Sequence, residues 1–150
     1  MKPRYMALMT LVCVCLLGAP VKAQQAVNAM QDWGLLGAFS SRCDMPASMS
    51  NAYYIFAASA DGRVYLQRDF GDPDKSDRSE VISAAPRADG TLALTINFTS
   101  ISQVRLNVYT KAEGRVRVVY NSRPDNTDVT VENGVLRHNG QPTPWSQKCR

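Results

Sequence analysis

The sequence predicts an all-β domain, a single antiparallel meander closed into a barrel of about eight strands after a short helical turn. Three observations predict it. Short segments of alternating apolar and polar residues recur about every ten residues from Gly37 onward. Their connections carry Asp61-Gly62, Asp89-Gly90, Glu113-Gly114, Asn133-Gly134 and Asn139-Gly140, the pairs that supply positive φ to tight turns. Finally, a cysteine beside the first strand, Cys43, has its counterpart on the next-to-last residue, Cys149. A two-sheet sandwich is the alternative way to bury one apolar face.

The chain opens with Lys2 and Arg4 before an uncharged run over 5–19, followed by Pro20 and Val21-Lys22-Ala23. This is the pattern of a secretory signal, with cleavage predicted after Ala23 and one domain over 24–150. The run is short of the roughly 20 apolar residues a membrane span requires, so an uncleaved anchor is the alternative and no span is expected after cleavage. Cys13 and Cys15 each follow Val, not the small residue that lipid attachment would need. The expected location is the periplasm or the exterior.

Cleavage changes the arithmetic. Lys2, Arg4 and Lys22 leave with the signal and no acid does, so 17 basic residues become 14 against 13 acidic, and the formal charge falls from +4 to +1. Basicity is therefore poor evidence for nucleic acid, and none is expected as partner. Of four cysteines only Cys43 and Cys149 remain. In an oxidising compartment two such residues pair; two free thiols are the alternative reading.

The spacing of Val27, Met30 and Trp33, with Gly34 as a stop, predicts a helix or single turn over 24–34. Strands are predicted over 37–41, 52–58, 63–70, 80–85, 91–98, 103–110, 115–122, 128–132 and 135–138. The exception is 76–85, where "SDRSE" also suits a helix cap. Leu92, Leu94, Ile96 and Phe98 alternate onto one face. A three-residue loop at Ala112-Glu113-Gly114 would pair Lys111 with Arg115, Val108 with Val118 and Leu106 with Tyr120. That register turns the valines inward and leaves Arg105, Tyr109, Arg115 and Arg117 on one outer face, a candidate binding patch. A Cys43–Cys149 bond would set first and last strands side by side and close the barrel, with Trp33 and Trp145 sealing the seam.

The helical turn, the glycine–aromatic first strand Gly37-Ala38-Phe39 and the run of antiparallel strands resemble the lipocalin-type (calycin) barrels. Those carry Gly-x-Trp on the first strand; here Phe39 stands in the Trp position. The first-strand Cys and the closing "TPW…KC" are similar to small exported proteins of Gram-negative bacteria. The resemblance implies a cup-shaped barrel with an apolar interior and brings no catalytic residues.

Catalysis finds little material. His138 is the only histidine, beside the Asn139-Gly140 turn, and no nucleophile elbow accompanies it. Asp69, Asp72, Asp74, Asp77 and Glu80 gather over 69–80 and suggest a check for calcium, but the EF-hand pattern fails at its required Gly and Glu. Too few ligands exist for zinc, and no cofactor is expected. Two functions follow. In the first, a non-enzymatic binding protein holds a small apolar or amphipathic ligand inside the barrel, with Tyr53, Tyr54, Phe56 and Tyr65 about its mouth. In the second, an interaction module, inhibitor or assembly factor of the cell envelope works through the arginine-bearing hairpin.

Overall fold

The computed structural model describes residues 20–149, so the apolar run of the expected export signal lies outside the described residues. A helix, α1 (Pro20–Trp33), leads into ten strands: β1 (Gly37–Ser40), β2 (Tyr53–Ala58), β3 (Val64–Asp69), β4 (Asp77–Pro86), β5 (Leu92–Phe98), β6 (Gln103–Ala112), β7 (Arg115–Ser122), β8 (Val131–Glu132), β9 (Val135–Leu136) and β10 (Ser146–Lys148). Strands β1 to β7 pair antiparallel in chain order. β10 then bonds both β1, through Phe39↔Lys148, and β7, through Ser146↔Val116, which closes an eight-stranded ring. β8 and β9 form a small hairpin outside it, attached at Asn121↔Val131.

Closure leaves the ring no exposed edge. A disulfide joins Cys43 to Cys149 with their Cα atoms 5.4 Å apart, just beyond the β1–β10 ladder. Cys149 also donates its amide to Ala38 O at 2.8 Å. The tail thus adds one more strand than the alternation indicated, and this strand, not 135–138, closes the barrel. Only three residues long and rich in polar side chains, β10 lacks an alternation signal of its own; its neighbours on both sides supply the hydrogen bonds that define it.

Strand alternation fixes what faces inward. Phe39, Phe56, Val64, Leu66, Val81, Leu92, Leu94, Ile96 and Phe98 form one buried cluster. The apolar face of α1 joins it through Val27, Met30 and Trp33, and α1 is a full fourteen-residue helix rather than a single turn. Gly34, at φ +90°, ends the helix in the left-handed conformation that favours glycine. Trp33 Nε1 donates to Gly90 O at 2.9 Å and Lys111 Nζ donates to Trp33 O at 3.0 Å, so the helix end is bonded to the β4–β5 turn and to the end of β6. Trp33 therefore belongs to the helical end of the barrel and does not meet Trp145 at a common seam.

Two local readings of the sequence are corrected. Residues 77–86 are strand throughout, with Asp77 to Glu80 paired to β3, so "SDRSE" caps no helix. The β6–β7 turn has two residues, Glu113 (φ 51°) and Gly114 (φ 72°), which pairs Ala112 with Arg115 and Tyr109 with Val118. Two consecutive positive φ values match the hairpin turn whose twist suits paired strands. A bulge between Val108 and Tyr109 then shifts the ladder, setting Val108 against Tyr120 and Asn107 against Asn121. Across the uninterrupted β5–β6 ladder, Arg105, Asn107 and Tyr109 share a face with their partners Ile96, Leu94 and Leu92, all fully buried. Val104, expected inside, is exposed.

Candidate functional site

The barrel encloses a cup of about 310 Å³. Its apolar surface comes from Phe39, Phe56, Leu66, Val116 and Val118, and its polar wall from Tyr54, Arg68, Asn107, Tyr109 and Asn121. Phe56 makes edge-to-face contacts with Phe39 (centroids 6.4 Å apart) and with Tyr109 (5.9 Å), which hold the rings at fixed angles. Tyr54, Phe56, Leu66 and Arg68 meet as the paired couples Tyr54↔Arg68 and Phe56↔Leu66 across β2 and β3. Period-two geometry alone therefore brings two aromatics, one aliphatic and one guanidinium to the same side.

Arg68 is held in a fork by Asp77, with Nε donating to Oδ1 at 2.8 Å and Nη2 to Oδ2, and it reaches Ser100 Oγ at 2.9 Å. Its guanidinium lies 4.8 Å from the Phe98 ring centre. The hydrogen bond from Arg68 holds the Asp77 carboxyl below the usual carboxylate range, against the opposing effect of burial. Burial pushes the hydroxyls of Tyr54 and Tyr109 the other way, above the ordinary phenol value, with Arg68 partly offsetting the rise in each. Both phenols stay protonated at neutral pH and are available as donors.

Deeper in the wall, Arg105 is 4 % exposed. It donates Nε and Nη2 to Asn121 Oδ1 (3.0 and 2.7 Å), Nη2 to Thr130 Oγ1 (3.2 Å) and to Asp128 O (2.8 Å), and Nη1 to Gln103 Oε1 (3.3 Å) and Asp128 Oδ2 (2.5 Å). Asn121 Nδ2 in turn donates to Asn107 Oδ1 at 2.5 Å. Asn107 Nδ2 is buried without a partner among the described residues.

The expected cup residues divide by strand face. Tyr54 and Phe56 line the cup. Tyr53, one residue out of phase, donates its hydroxyl to Met45 O at 2.7 Å and secures the β1–β2 loop. Tyr65 lies beneath the Arg78 guanidinium, 3.8 Å from its ring centre. Neither lines the cup.

The expected outer patch also divides. Arg105 and Tyr109 face the interior, because the two-residue turn sets Tyr109, in place of Val108, against Val118 and Arg105 follows Tyr109 at the period of two. Arg115 and Arg117 remain together about Trp145, 5.7 and 4.6 Å from its ring centre, Arg115 exposed and Arg117 half-buried at the border of the cup. Arg115 pairs with Glu113, whereas Arg117 Nε is buried with no partner among the described residues.

Asn107, Asn121 and Arg68 were missed as site residues. The signal available was that each pairs directly with, or neighbours, a residue of an apolar alternation, at Leu94↔Asn107 and Leu66-Gln67-Arg68. At the helical end, a second cleft of about 350 Å³ lies among Trp33, Phe39, Lys111 and Lys148.

The acidic residues of 69–80 are dispersed. Asp77 holds Arg68, Asp72 pairs with Lys75, Glu80 approaches Arg63, and Asp69 Oδ1 accepts the Gly71 amide. Among the described residues no three metal-ligating side chains gather. His138 is exposed.

These features define a small closed antiparallel barrel with a cup lined by aromatic, aliphatic and polar side chains. No protein-family model, curated protein or solved structure matches the chain, so the site is read from its own geometry.

Proposed function

We propose that this is an exported, non-enzymatic binding protein that holds a small amphipathic ligand in the cup of a lipocalin-like barrel. The cup carries the reading: about 310 Å³ with an aromatic and aliphatic surface on one side and convergent polar groups on the other. That volume lies at the lower end for small-molecule sites, which are mostly apolar with a few placed polar groups. A barrel of eight strands is just wide enough to be filled by its own side chains, so a lined space of this size favours an occupant. The Cys43–Cys149 bond supports an oxidising location, periplasm or exterior. Among the described residues no helix is long and apolar enough to cross a membrane.

The test is native mass spectrometry of protein purified from its own host, together with uptake of the neutral probe N-phenylnaphthylamine. A co-purified small molecule, or saturable probe fluorescence that phenylalanine-to-tryptophan replacement at Phe56 abolishes, supports the reading. Bare protein that takes up no probe refutes it.

A second reading rests on a different surface. Arg115 and Arg117 flank Trp145, and a guanidinium pair over an indole suits an acidic protein partner of the envelope. Replacing Arg115 and Arg117 with Ala should then abolish capture of that partner and leave melting unchanged. Arg105 takes no part in such a surface.

A further inference from the structure

We infer that the ligand docks through a neutral hydrogen-bond acceptor, the carbonyl oxygen of a ketone, ester or amide, received by Asn107, Tyr109 and Tyr54 in the wall of the cup. The inference rests on the binding reading above and names the chemistry of the ligand's polar end.

The argument begins at Arg105, because a guanidinium offers only donors. Two of its N–H groups meet one atom of the Asn121 amide, at 3.0 and 2.7 Å, so that atom is the oxygen. Thr130 Oγ1, 2.7 Å away, can donate to the same oxygen. The other end of the Asn121 amide is then a donor, and it faces Asn107 at 2.5 Å. The Asn107 atom that receives it must be the oxygen, which leaves the Asn107 –NH₂ directed elsewhere. The orientation of both amides is thus set by charge, with no freedom to flip. Asn107 is 4 % exposed, lines the cup, and its Nδ2 has no partner among the described residues. A buried donor left unpaired is costly, and an acceptor brought by a ligand relieves that cost.

Tyr109 stands two residues further along β6 on the same face, and Tyr54 joins it in the cup wall. Both remain neutral phenols able to donate. The wall is therefore rich in donors that Arg105 and burial have set in place.

Charge decides between a carbonyl and a carboxylate. Two cations line the cup, Arg68 and Arg117; Arg68, the one paired across the ladder with Tyr54, is already matched by Asp77 through a two-pronged contact. Arg105 is matched by Asp128. Arg117 reaches the cup from β7, its guanidinium lying over Trp145 and against Gly134. A carboxylate seated against Asn107, Tyr109 and Tyr54 would find the neighbouring Arg68 already paired with Asp77, and burying such a charge is expensive. A carbonyl brings an acceptor and no charge.

The test measures displacement of N-phenylnaphthylamine from the full mature chain by three compounds of equal length: methyl heptyl ketone, nonene and nonanoate. The ketone should bind about tenfold more tightly than nonene, the advantage of a well-made hydrogen bond to a waiting donor, and nonanoate should be weaker than the ketone. In the Tyr54→Phe/Tyr109→Phe double variant, which keeps both rings, the ketone's advantage should shrink to about twofold while the melting temperature holds. Asn107→Asp, which turns the unpaired donor into an acceptor, should remove it as well. Equal binding of ketone and nonene, or tightest binding of nonanoate, overturns the head-group assignment and leaves the cup as a binding site. Failure of the probe itself to bind overturns the binding reading and this inference together.

Discussion

Arg105 Nε and Nη2 both donate to the single oxygen Oδ1 of Asn121, at 3.0 and 2.7 Å, from a side chain that is 5 % exposed. The contact ties β6 to β7 one pair above the bulge and extends through Asp128 and Thr130 to the segment that leads into β8. Lysine cannot reproduce this fork, since its ammonium is a single point of charge. Arg105→Lys should destabilise the protein by about 2 kcal/mol, the scale of hydrogen bonds lost from a buried charged group. For a domain of this size that lowers Tm by roughly 4–8 °C. A thermal melt indistinguishable from the parent protein would show that the network contributes no stability.

The Cys43–Cys149 bond closes a loop with a sequence separation of 106. Chain-entropy reasoning assigns about 4.7 kcal/mol to a loop near that length, an upper value because unfolded chains are not ideal. Reduction, or Cys43→Ser/Cys149→Ser, should shift the denaturant midpoint down by a corresponding amount. The β1–β10 hydrogen bonds remain, so the reduced protein should still unfold in a single transition at the lower midpoint. The comparison is an unfolding curve with and without reductant, and coincident curves would refute it.

Acid should weaken the fold through Asp77. Its folded-state pKa is depressed by the Arg68 hydrogen bond. A depressed carboxyl stabilises the fold above its unfolded value of about 3.9 and loses that contribution as pH falls through the folded value. Asp61, Asp89 and Asp125 shift in the same direction, each through bonds within its own turn. Asp77→Asn should be less stable at neutral pH and should show a shallower decline below about pH 4. Denaturant unfolding across that range checks both.

The alkaline side belongs to the cup. Tyr54 and Tyr109 are raised, chiefly by burial. Their contribution is complete below the unfolded phenol value of about 10 and is lost as pH rises above it, because the unfolded chain ionises first. Tyr109→Phe should flatten the stability profile above about pH 10. Native protein should also show late tyrosinate absorbance that appears only with unfolding.

Gly71 lies between two loops at one end of the barrel. At φ +72°, a Cβ added there would collide with the backbone carbonyl of Ala47 in the β1–β2 loop. That loop is pinned by Asn51, which donates to Arg42 O, Met45 O and Pro46 O and so cannot move aside cheaply. Gly71→Ala should cost about 2 kcal/mol or more, combining left-handed strain with displaced backbone. Gly90→Ala, at φ +80° with open space around it, should cost less. Equal losses in the two variants would show that the contact with Ala47 is immaterial.

Much of the barrel was legible from alternation. Tyr54 and Phe56 against Tyr53, or Leu92, Leu94, Ile96 and Phe98 along β5, declare their faces at a period of two, and glycine-bearing turns mark where the chain reverses. The pairing of Cys43 with Cys149 was legible too, because only these two cysteines follow the apolar run over 5–19 and two cysteines leave one connectivity. The facing of Arg105, Asn107 and Tyr109 was not. It depends on whether the turn has two residues or three, which changes the register by a residue and decides whether Tyr109 or Val108 shares a face with Val118; a bulge that skips Val119 on β7 then brings Asn121 opposite Asn107. Nor could sequence pattern show that β10 closes the ring, since three polar residues become a strand only when β1 and β7 both present free hydrogen-bonding edges. What the sequence by itself determined was the alternation, the turns and the clasp. Tertiary structure alone decided which polar residues enter the cup, because a buried arginine is tolerable only where Asn121, Asp128 and Thr130, distant in the chain, converge to accept its hydrogen bonds.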